Sequence, residues 1–591
     1  MDHDIFPVAS DLHLPPLDDS RGLRWWALVM PFLAIVFLFG CYALVNGDIW
    51  WHLKTGDLIL EQHKIPSENS FTYTNPKSSW IDLHWGFQCF VALIYNQFGG
   101  FGLIFIKSLI GAITFLLLLL TSRKSLPGWL TLLCWTPFLG IFSARYLVRP
   151  EMFSLLFVAC TLWVLHFSRH RPSVLWLLVP IQIVWVNTQG LFVLQHLIVG
   201  AFLLQQLVTF IHTRRNVQLF HRLLLAFILS TMASFINPYG LQGALFPLEL
   251  LGKMSGELRA FFQSLAGETS GMSEFIERYG LIATTRNSTT ITLFSTALVV
   301  MFSQLAASIY RRKMDIYHWS LIGGFAYLAW QMNRNSNLFA LVYGYILCTN
   351  AANIIEFYRL SKLTVDGATV NSSRPPLGLS KYLFPSAQIG AYLIVFGVLA
   401  VTFNDALNHR EQNPGQRPQR YYFTEQHPWY NHSAAQFIAE IPARLNVYVR
   451  HQGTGFAGVV IYHCFDEQGK YGKRVYADAR LETNSVKVLR DFESIPRLLE
   501  HDMPAAEELL VDEHGELPLL VFGNGDLMQR PDLLQSLIDS PRWQCIYVSD
   551  FTPQSVDLGV AMFMTSTKRE SIGLPRMSVE PLLQTSTFSG Q

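Results

Sequence analysis

The stretch Leu23–His52 reads LRWWALVMPFLAIVFLFGCYALVNGDIWWH. Leu23 to Asn46 is apolar for long enough to cross a bilayer: at ~1.5 Å per residue it reaches ~36 Å, against a ~30 Å hydrocarbon core. Asp48 follows at the exit, with two tryptophans and His52 behind it. A carboxylate at that depth is expensive and is normally paired or functional. Similar apolar blocks recur near 101–122, 128–144, 152–167, 173–190, 191–211, 223–236, 291–309, 317–332, 337–356 and 386–403. The run 84–98 reads either as a further span or as a helix lying in the interface. The count comes to about eleven spans. Composition agrees: the 591 residues are 50% hydrophobic and 15% charged, where a soluble domain carries about 25% charged residues. With 44 basic and 43 acidic residues, the chain is neither a disordered tail nor a basic nucleic-acid binder.

Basic clusters set the orientation. Arg21 and Arg24 precede the first span, and Arg123–Lys124, Arg169 and Arg171, Arg214–Arg215 with Arg222, Arg311–Arg312–Lys313, and Arg359 with Lys362 occupy every second junction. The positive-inside rule then puts the N-terminus in the cytoplasm, and an odd span count puts the C-terminal region outside. The expected organisation is a cytoplasmic segment (1–22) and a transmembrane domain (23–356) with a long first outer loop (48–83). A cytoplasmic connection (357–385) and the last span (386–403) follow, then an external linker (404–432), a soluble domain (433–568) and a polar tail (569–591). In the soluble part, runs at 445–450, 458–463, 518–522, 543–549 and 559–565 read as strands. Segments near 433–440, 484–500 and 526–540 have helical spacing, so the domain reads as α/β. Of the seven cysteines, five lie in or beside apolar blocks; Cys464 and Cys545 both fall in the soluble part, where pairing is left open.

Nearly all the unusual polar residues sit at the outer junctions. Asp48 and His52 share a helix face at i, i+4. The same loop ends Trp80-Ile81-Asp82-Leu83-His84-Trp85. Later junctions hold Arg145 and Arg149-Pro150-Glu151, then Asn187 with Gln189, then Asn237-Pro238-Tyr239-Gly240, and finally Asn333-Arg334-Asn335. Span interiors are nearly free of charge, apart from Lys107 near an outer end; His196 is a lone polar residue. Ion-coupled transporters need ionisable groups near mid-membrane, so transport is disfavoured. Each motif also has a plain structural reading: a helix cap for Asp48, an Arg149–Glu151 pair, interfacial polar residues for His52, Asp82 and His84, a turn for Asn237-Pro-Tyr-Gly, and interhelical hydrogen bonds for Asn187 and Gln189. Asp478-Ala-Arg480 reads as a salt bridge.

Taken together, these motifs resemble the multi-span GT-C superfamily of glycosyltransferases. Its members use lipid-linked sugar donors and include the catalytic subunit of oligosaccharyltransferase, protein mannosyltransferases and the aminoarabinose transferase of lipid A. In the family an Asp at the end of the first span acts at the catalytic centre, and Asp48 in Asn46-Gly47-Asp48-Ile49-Trp50-Trp51-His52 matches it. The resemblance covers roughly 23–356. It departs from the family in two ways: Gly47 and Ile49 flank Asp48, so the usual acidic pair is absent, and the WWDYG signature does not occur. Protein N-glycosylation is therefore not implied.

The resemblance implies a polytopic helical bundle in a bacterial inner membrane that uses a polyprenyl-phosphate sugar. Asp48 is then the general base, and Arg145, Arg149 and Arg334 take the donor phosphate. His52, Asp82, His84, Glu151, Asn187, Asn237 and Tyr239 shape the acceptor site. A divalent metal ion on Asp48, His52 and Asp82 stays open. Two other readings also stay open: an envelope scaffold without enzymatic activity, and a lipid-linked glycan polymerase or ligase.

Overall fold

The computed structural model describes residues 20–365 and 431–579, apart from 45, 124, 144, 215–216, 254–270, 280–287, 312, 452–454, 467–471, 481 and 550–558, together with a few positions between 389 and 397. All but a few positions of the expected last span, most of the external linker, the first 19 residues and the end of the tail lie outside the described residues.

Helix α1 (Ser20–Gly40) crosses α3 (Trp85–Ser122) at very close range. A Cβ on Gly40 would sit 2.6 Å from Ser108 Oγ. Between them lies α2 (Asp48–Gln62), a short helix that starts at the exit of α1 and ends in a left-handed cap at His63. The runs 84–98 and 101–122 prove to be one 38-residue element bent at Gly99, whose φ of 60° and ψ of −158° suit glycine alone. The bundle continues through α4 (Gly128–Ser143), α5 (Glu151–Ser168), α6 (Leu178–Val186), α7 (Val193–Thr213), α8 (Val217–Ala233) and α9 (Gly240–Lys253), and through further helices at Ser288–Arg311, Ile316–Gln331 and Ser336–Val365. Five described segments are long and apolar enough to cross a membrane: Trp85–Ser122, Glu151–Ser168, Gly190–Thr213, Ile291–Arg311 and Asn333–Glu356. Shorter apolar helices run beside them. Large apolar side chains such as Phe98, Phe302 and Ile309 point outward and are largely exposed, which a bilayer tolerates and water does not.

The C-terminal part is an α/β domain with one five-stranded sheet in the order β2-β1-β3-β5-β4. The strands are β1 (Asn446–Arg450), β2 (Arg474–Val475), β3 (Leu519–Gly523), β4 (Trp543–Val548) and β5 (Val560–Thr565). β2, β1 and β3 are parallel; β5 runs antiparallel to β3, and β4 antiparallel to β5. One expectation is corrected here. The run 458–463 is not a strand but part of the helix Gly455–Cys464. β1 and β2 are parallel neighbours, so the chain between them needs a crossover, and this buried apolar run provides it. A short apolar run bounded by glycines fits a strand and a buried helix equally well.

Both faces of the sheet are buried, with side chains alternating between them. Val447, Val449, Leu519, Val521, Met562 and Met564 join a core that runs without a break into the membrane bundle as far as Trp25. Tyr448, Leu520, Phe522 and Phe563 face the other way, onto the domain's own helices at Val486–His501 and Pro531–Asp539. The first loop adds itself to the sheet edge. Thr72 bridges Val475 in parallel, the Tyr73 N–H donates to the Val475 carbonyl at 3.1 Å, and the Val475 N–H donates to the Phe71 carbonyl at 2.9 Å. The expected pendant domain is therefore docked on the loop, and it covers an edge that would otherwise be open. All seven cysteines are free, Cys464 and Cys545 included.

Candidate functional site

Asp48 opens α2, where the orphan N–H groups of the first turn favour negative charge. Its Oδ2 lies 2.9 Å from an Arg149 nitrogen, and the two side chains are 27% and 17% exposed, so the pair is reachable from outside the bundle. The same Arg149 nitrogen donates to Asn46 Oδ1 at 2.8 Å. Arg149 immediately precedes Pro150, the cap of α5, and its carbonyl accepts the Met152 N–H. The Arg-Pro-Glu motif thus starts one helix and aims its arginine at the exit of another. Glu151 is the first residue of α5, suited by its charge to that helix end.

His52, one turn after Asp48, is buried against Trp51, with Phe87 and His84 nearby. Its Nδ1 lies 3.4 Å from Gln88 Nε2. Burial, followed by the positive charges of His84, Arg149 and Arg480, pushes its pKa well below the ordinary histidine value. His52 is therefore neutral at pH 7 and acts as a hydrogen-bonding group rather than a cation.

Asp82 is fully buried. Its Oδ1 accepts the His84 N–H at 2.9 Å and lies 3.6 Å from His84 Nδ1. Burial works against a charge on His84, but the hydrogen bond and charge of Asp82, followed by the charge of Glu482, raise its pKa overall. Glu482 belongs to the C-terminal domain, and burial lifts its carboxyl above the ordinary range despite the pull of His84. The Asp82 N–H donates to the Tyr239 hydroxyl at 3.0 Å. The Asn-Pro-Tyr-Gly turn therefore reaches the first loop through its tyrosine. Asn237 itself only shapes the turn: its Oδ1 accepts the Tyr239 N–H, and its Nδ2 donates to the Ser234 and Gly240 carbonyls. Asn187 is likewise a tie between elements, accepting from Trp85 Nε1 at 3.0 Å and donating to the Ile183 and Ile236 carbonyls at 2.8 Å each.

Arg145 comes to the same end of the bundle through its backbone, where its carbonyl accepts from Asn337 Nδ2 at 3.1 Å. Arg334 lies in the tight turn Asn333–Asn335, three residues before Asn337. The outer junctions picked out in the sequence thus converge at one end of the bundle. Asp48, Asn46 and Arg149 form one direct cluster; Asp82, His84 and Tyr239 form a second, with His52 between them. Among the described residues no three His, Cys, Asp or Glu side chains are grouped to hold a metal ion. The charge paired with Asp48 Oδ2 is the Arg149 guanidinium.

The salt bridge expected of Asp478 and Arg480 is present in the C-terminal domain; what sequence reasoning missed is that it packs onto the first loop. Arg480 is buried; it bonds to Asp478 Oδ2 at 2.6 Å and to Asn69 Oδ1 at 2.7 Å, and lies over the Trp80 and Phe71 rings. Next to Asp48, a Cβ on Gly47 would sit 2.4 Å from the Gly455 carbonyl oxygen, and one on Gly458 would sit 2.5 Å from that of Gly47. The turn that carries Asp48 is in backbone contact with the domain. Asn46 and Gln88 were missed as well, although Asn46 lies within the motif around Asp48. No sequence signal reveals contacts formed more than 400 residues away, such as Arg480 to Asn69.

This arrangement, a polytopic bundle whose first loop is clasped by a soluble α/β domain, is a known fold class. The sequence matches no protein-family model and no curated protein. Solved structures do share its fold. The archaeal oligosaccharyltransferase AglB from Archaeoglobus fulgidus, in complex with an inhibitory peptide and a dolichol-phosphate, aligns with a TM-score of 0.57 at 10% identity, over 93% of this chain and 75% of that one. The apo form of the Archaeoglobus fulgidus oligosaccharyltransferase gives 0.55 at 11% identity, over 92% and 74%. ArnT from Cupriavidus metallidurans in the apo state gives 0.47 at 12% identity, over 92% and 98%. The chain has the GT-C fold, with polytopic membrane helices and a soluble C-terminal domain.

Proposed function

We propose that the chain is a membrane glycosyltransferase that moves a sugar from a polyprenyl-phosphate donor to an acceptor hydroxyl on the extracytoplasmic side. The observation that carries this reading is the Asp48–Arg149–Asn46 cluster at the end of the first span in a GT-C fold. The side is inferred from the basic clusters at alternate junctions, and the lipid donor is in keeping with the dolichol-phosphate held by AglB.

In this mechanism the acceptor oxygen attacks the anomeric carbon from the face opposite the phosphate. The carbon–oxygen bond to the phosphate breaks, the phosphate leaves with the bonding pair, and the configuration inverts. Asp48 takes the acceptor proton. Before the donor binds, Arg149 neutralises Asp48. The donor phosphate competes for that guanidinium, which pairs readily with phosphate oxygens. As Arg149 turns toward the phosphate, the Asp48 carboxylate loses the stabilisation of that guanidinium and becomes more basic. Arg149 thus couples donor binding to base activation, with Arg145 and Arg334 as further phosphate ligands. Neutral His52 orients the acceptor, with Asp82 and His84 behind it. Asp48 Oδ2 faces Arg149 at salt-bridge distance; the positive charge in this reading comes from arginine.

Asp48→Asn keeps the shape of the side chain but removes the base and its charge. In membranes assayed with a panel of polyprenyl-phosphate sugars, it should abolish transfer while protein abundance stays near wild type. Full activity in this variant would remove Asp48 as the base. Convergence of the polar junctions at one end also favours transfer over a scaffold, which needs no such cluster.

A further inference from the structure

Lys107 sits inside α3 with 1% of its surface exposed, and among the described residues no carboxylate pairs with it. Its ammonium lies 3.6 Å from the centroid of the Tyr42 ring. Such a contact returns about 0.5–2 kcal/mol, less than the several kcal/mol that burial of an ion costs. The surroundings fix the lysine in place without neutralising it. The Tyr42 hydroxyl donates to the Tyr146 carbonyl, and the Tyr146 hydroxyl donates to the Lys107 carbonyl at 2.8 Å. One residue on, Ser108 is locked against Gly40.

Beside the ammonium is a small cavity lined by Tyr42, Asn46, Ile49, Lys107, Leu147 and Val148. It is about the size of one water molecule or one phosphate oxygen. Asn46 is its second polar group. Asn46 Oδ1 accepts from Arg149, and its Nδ2 is buried with no hydrogen-bond partner among the described residues. Two side-chain donors therefore line one oxygen-sized space, and no carboxylate does. A buried donor left without an acceptor forfeits about 1–3 kcal/mol, more if it is charged. An anionic oxygen in the cavity would satisfy both.

The geometry points to an oxyanion subsite in which one oxygen of a phosphoryl group enters between Lys107 Nζ and Asn46 Nδ2, with its remaining oxygens toward Arg149. The subsite rests on the donor class proposed above and deepens it, because Asn46 joins the cavity to the Asp48–Arg149 pair. A lipid headgroup and free phosphate share this chemistry. The lipid is favoured, because Ile49, Leu147 and Val148 give the cavity apolar walls that cannot hydrate a free phosphate anion.

The test uses the full chain in neutral phosphatidylcholine nanodiscs, with decaprenyl phosphate and inorganic phosphate as probes, reading binding and thermal unfolding. Lys107→Met removes an uncompensated buried charge, so its ligand-free Tm should be equal to or above wild type. A lysine with a merely structural role would give a lower Tm. Decaprenyl phosphate should bind Lys107→Met about tenfold or more weakly than wild type and should no longer raise its Tm. Asn46→Ala, which keeps the charge, should weaken binding in the same direction. Undiminished binding by Lys107→Met, with binding lost in Arg149→Gln, overturns the subsite and leaves the donor class standing. A wild-type protein that binds no decaprenyl phosphate overturns the donor class itself. Lys107-dependent binding of inorganic phosphate alone overturns the lipid source.

Discussion

Arg149 reaches Asn46 across 103 residues of chain and pairs with Asp48 beside it, and those contacts bring two distant span ends together. The residue types were legible in the sequence: a carboxylate at a span exit and an arginine before Pro150 are both costly at a membrane boundary. Their pairing was not, because Glu151 is an equally plausible partner on the page. Asn237 and Asn187 show the opposite case, since both are absorbed in turn and interhelical hydrogen bonds. Arg480 has the clearest energetic consequence at this scale. Arg480→Met leaves Asp478 buried without its cation, and losing one partner of a buried pair costs about 3–5 kcal/mol. A large fall in Tm is expected, partly recovered when Asp478→Asn is added. An unchanged Tm in the single variant would show that the pair does not hold the loop to the domain.

At the scale of elements, the helix Gly455–Cys464 marks where sequence reading failed and why. Its apolar run carries no periodicity, because it is buried on all sides between α2, the neighbouring helix His432–Glu440 and the sheet. What identifies it is topology, the crossover that parallel β1 and β2 require. Most membrane helices were legible because lipid imposes a length and a composition on them. The bend at Gly99 was not, since a glycine in an apolar run does not announce its φ. The docking of the helix on the Asp48 turn can be tested with two alanines. On propensity alone Gly→Ala in a helix stabilises by about 1 kcal/mol. Gly140→Ala, whose Cβ meets nothing within 4 Å, should follow that rule or be neutral. Gly458→Ala drives a Cβ into the Gly47 backbone, so it should instead cost about 1–3 kcal/mol and lower transfer activity. Unfolding and activity measured side by side decide it; equal behaviour of the two variants would refute the close docking.

For the whole molecule, the sequence marks two parts, apolar and soluble-like, and the boundary between them is plain in composition. It hides that one face of the soluble sheet belongs to the same core as the membrane bundle. Composition is local, whereas a shared core is a property of contacts. Phe456, Val459 and Val460 of the domain are fully or almost fully buried as part of that joint core. A fragment of residues 431–579 would expose this face together with its open β2 edge, a combination that favours association. Expressed alone, it should elute as aggregate or precipitate. A monomeric fragment with cooperative unfolding would show that the domain has a sufficient core of its own.

The strand contributed by Phe71–Tyr73 also has a consequence in time. The Tyr73 hydroxyl bonds to the Leu510 carbonyl, 437 residues further along the chain. At ~5–20 residues per second, that partner is synthesised ~20–90 s after Tyr73. The bundle enters the bilayer early, while the loop bearing Asp48 waits for the last domain to be made. The Asp48 loop therefore cannot reach its final form until most of the polypeptide has left the ribosome; under the proposed function, chains truncated before Leu510 are expected to show no transfer in membranes.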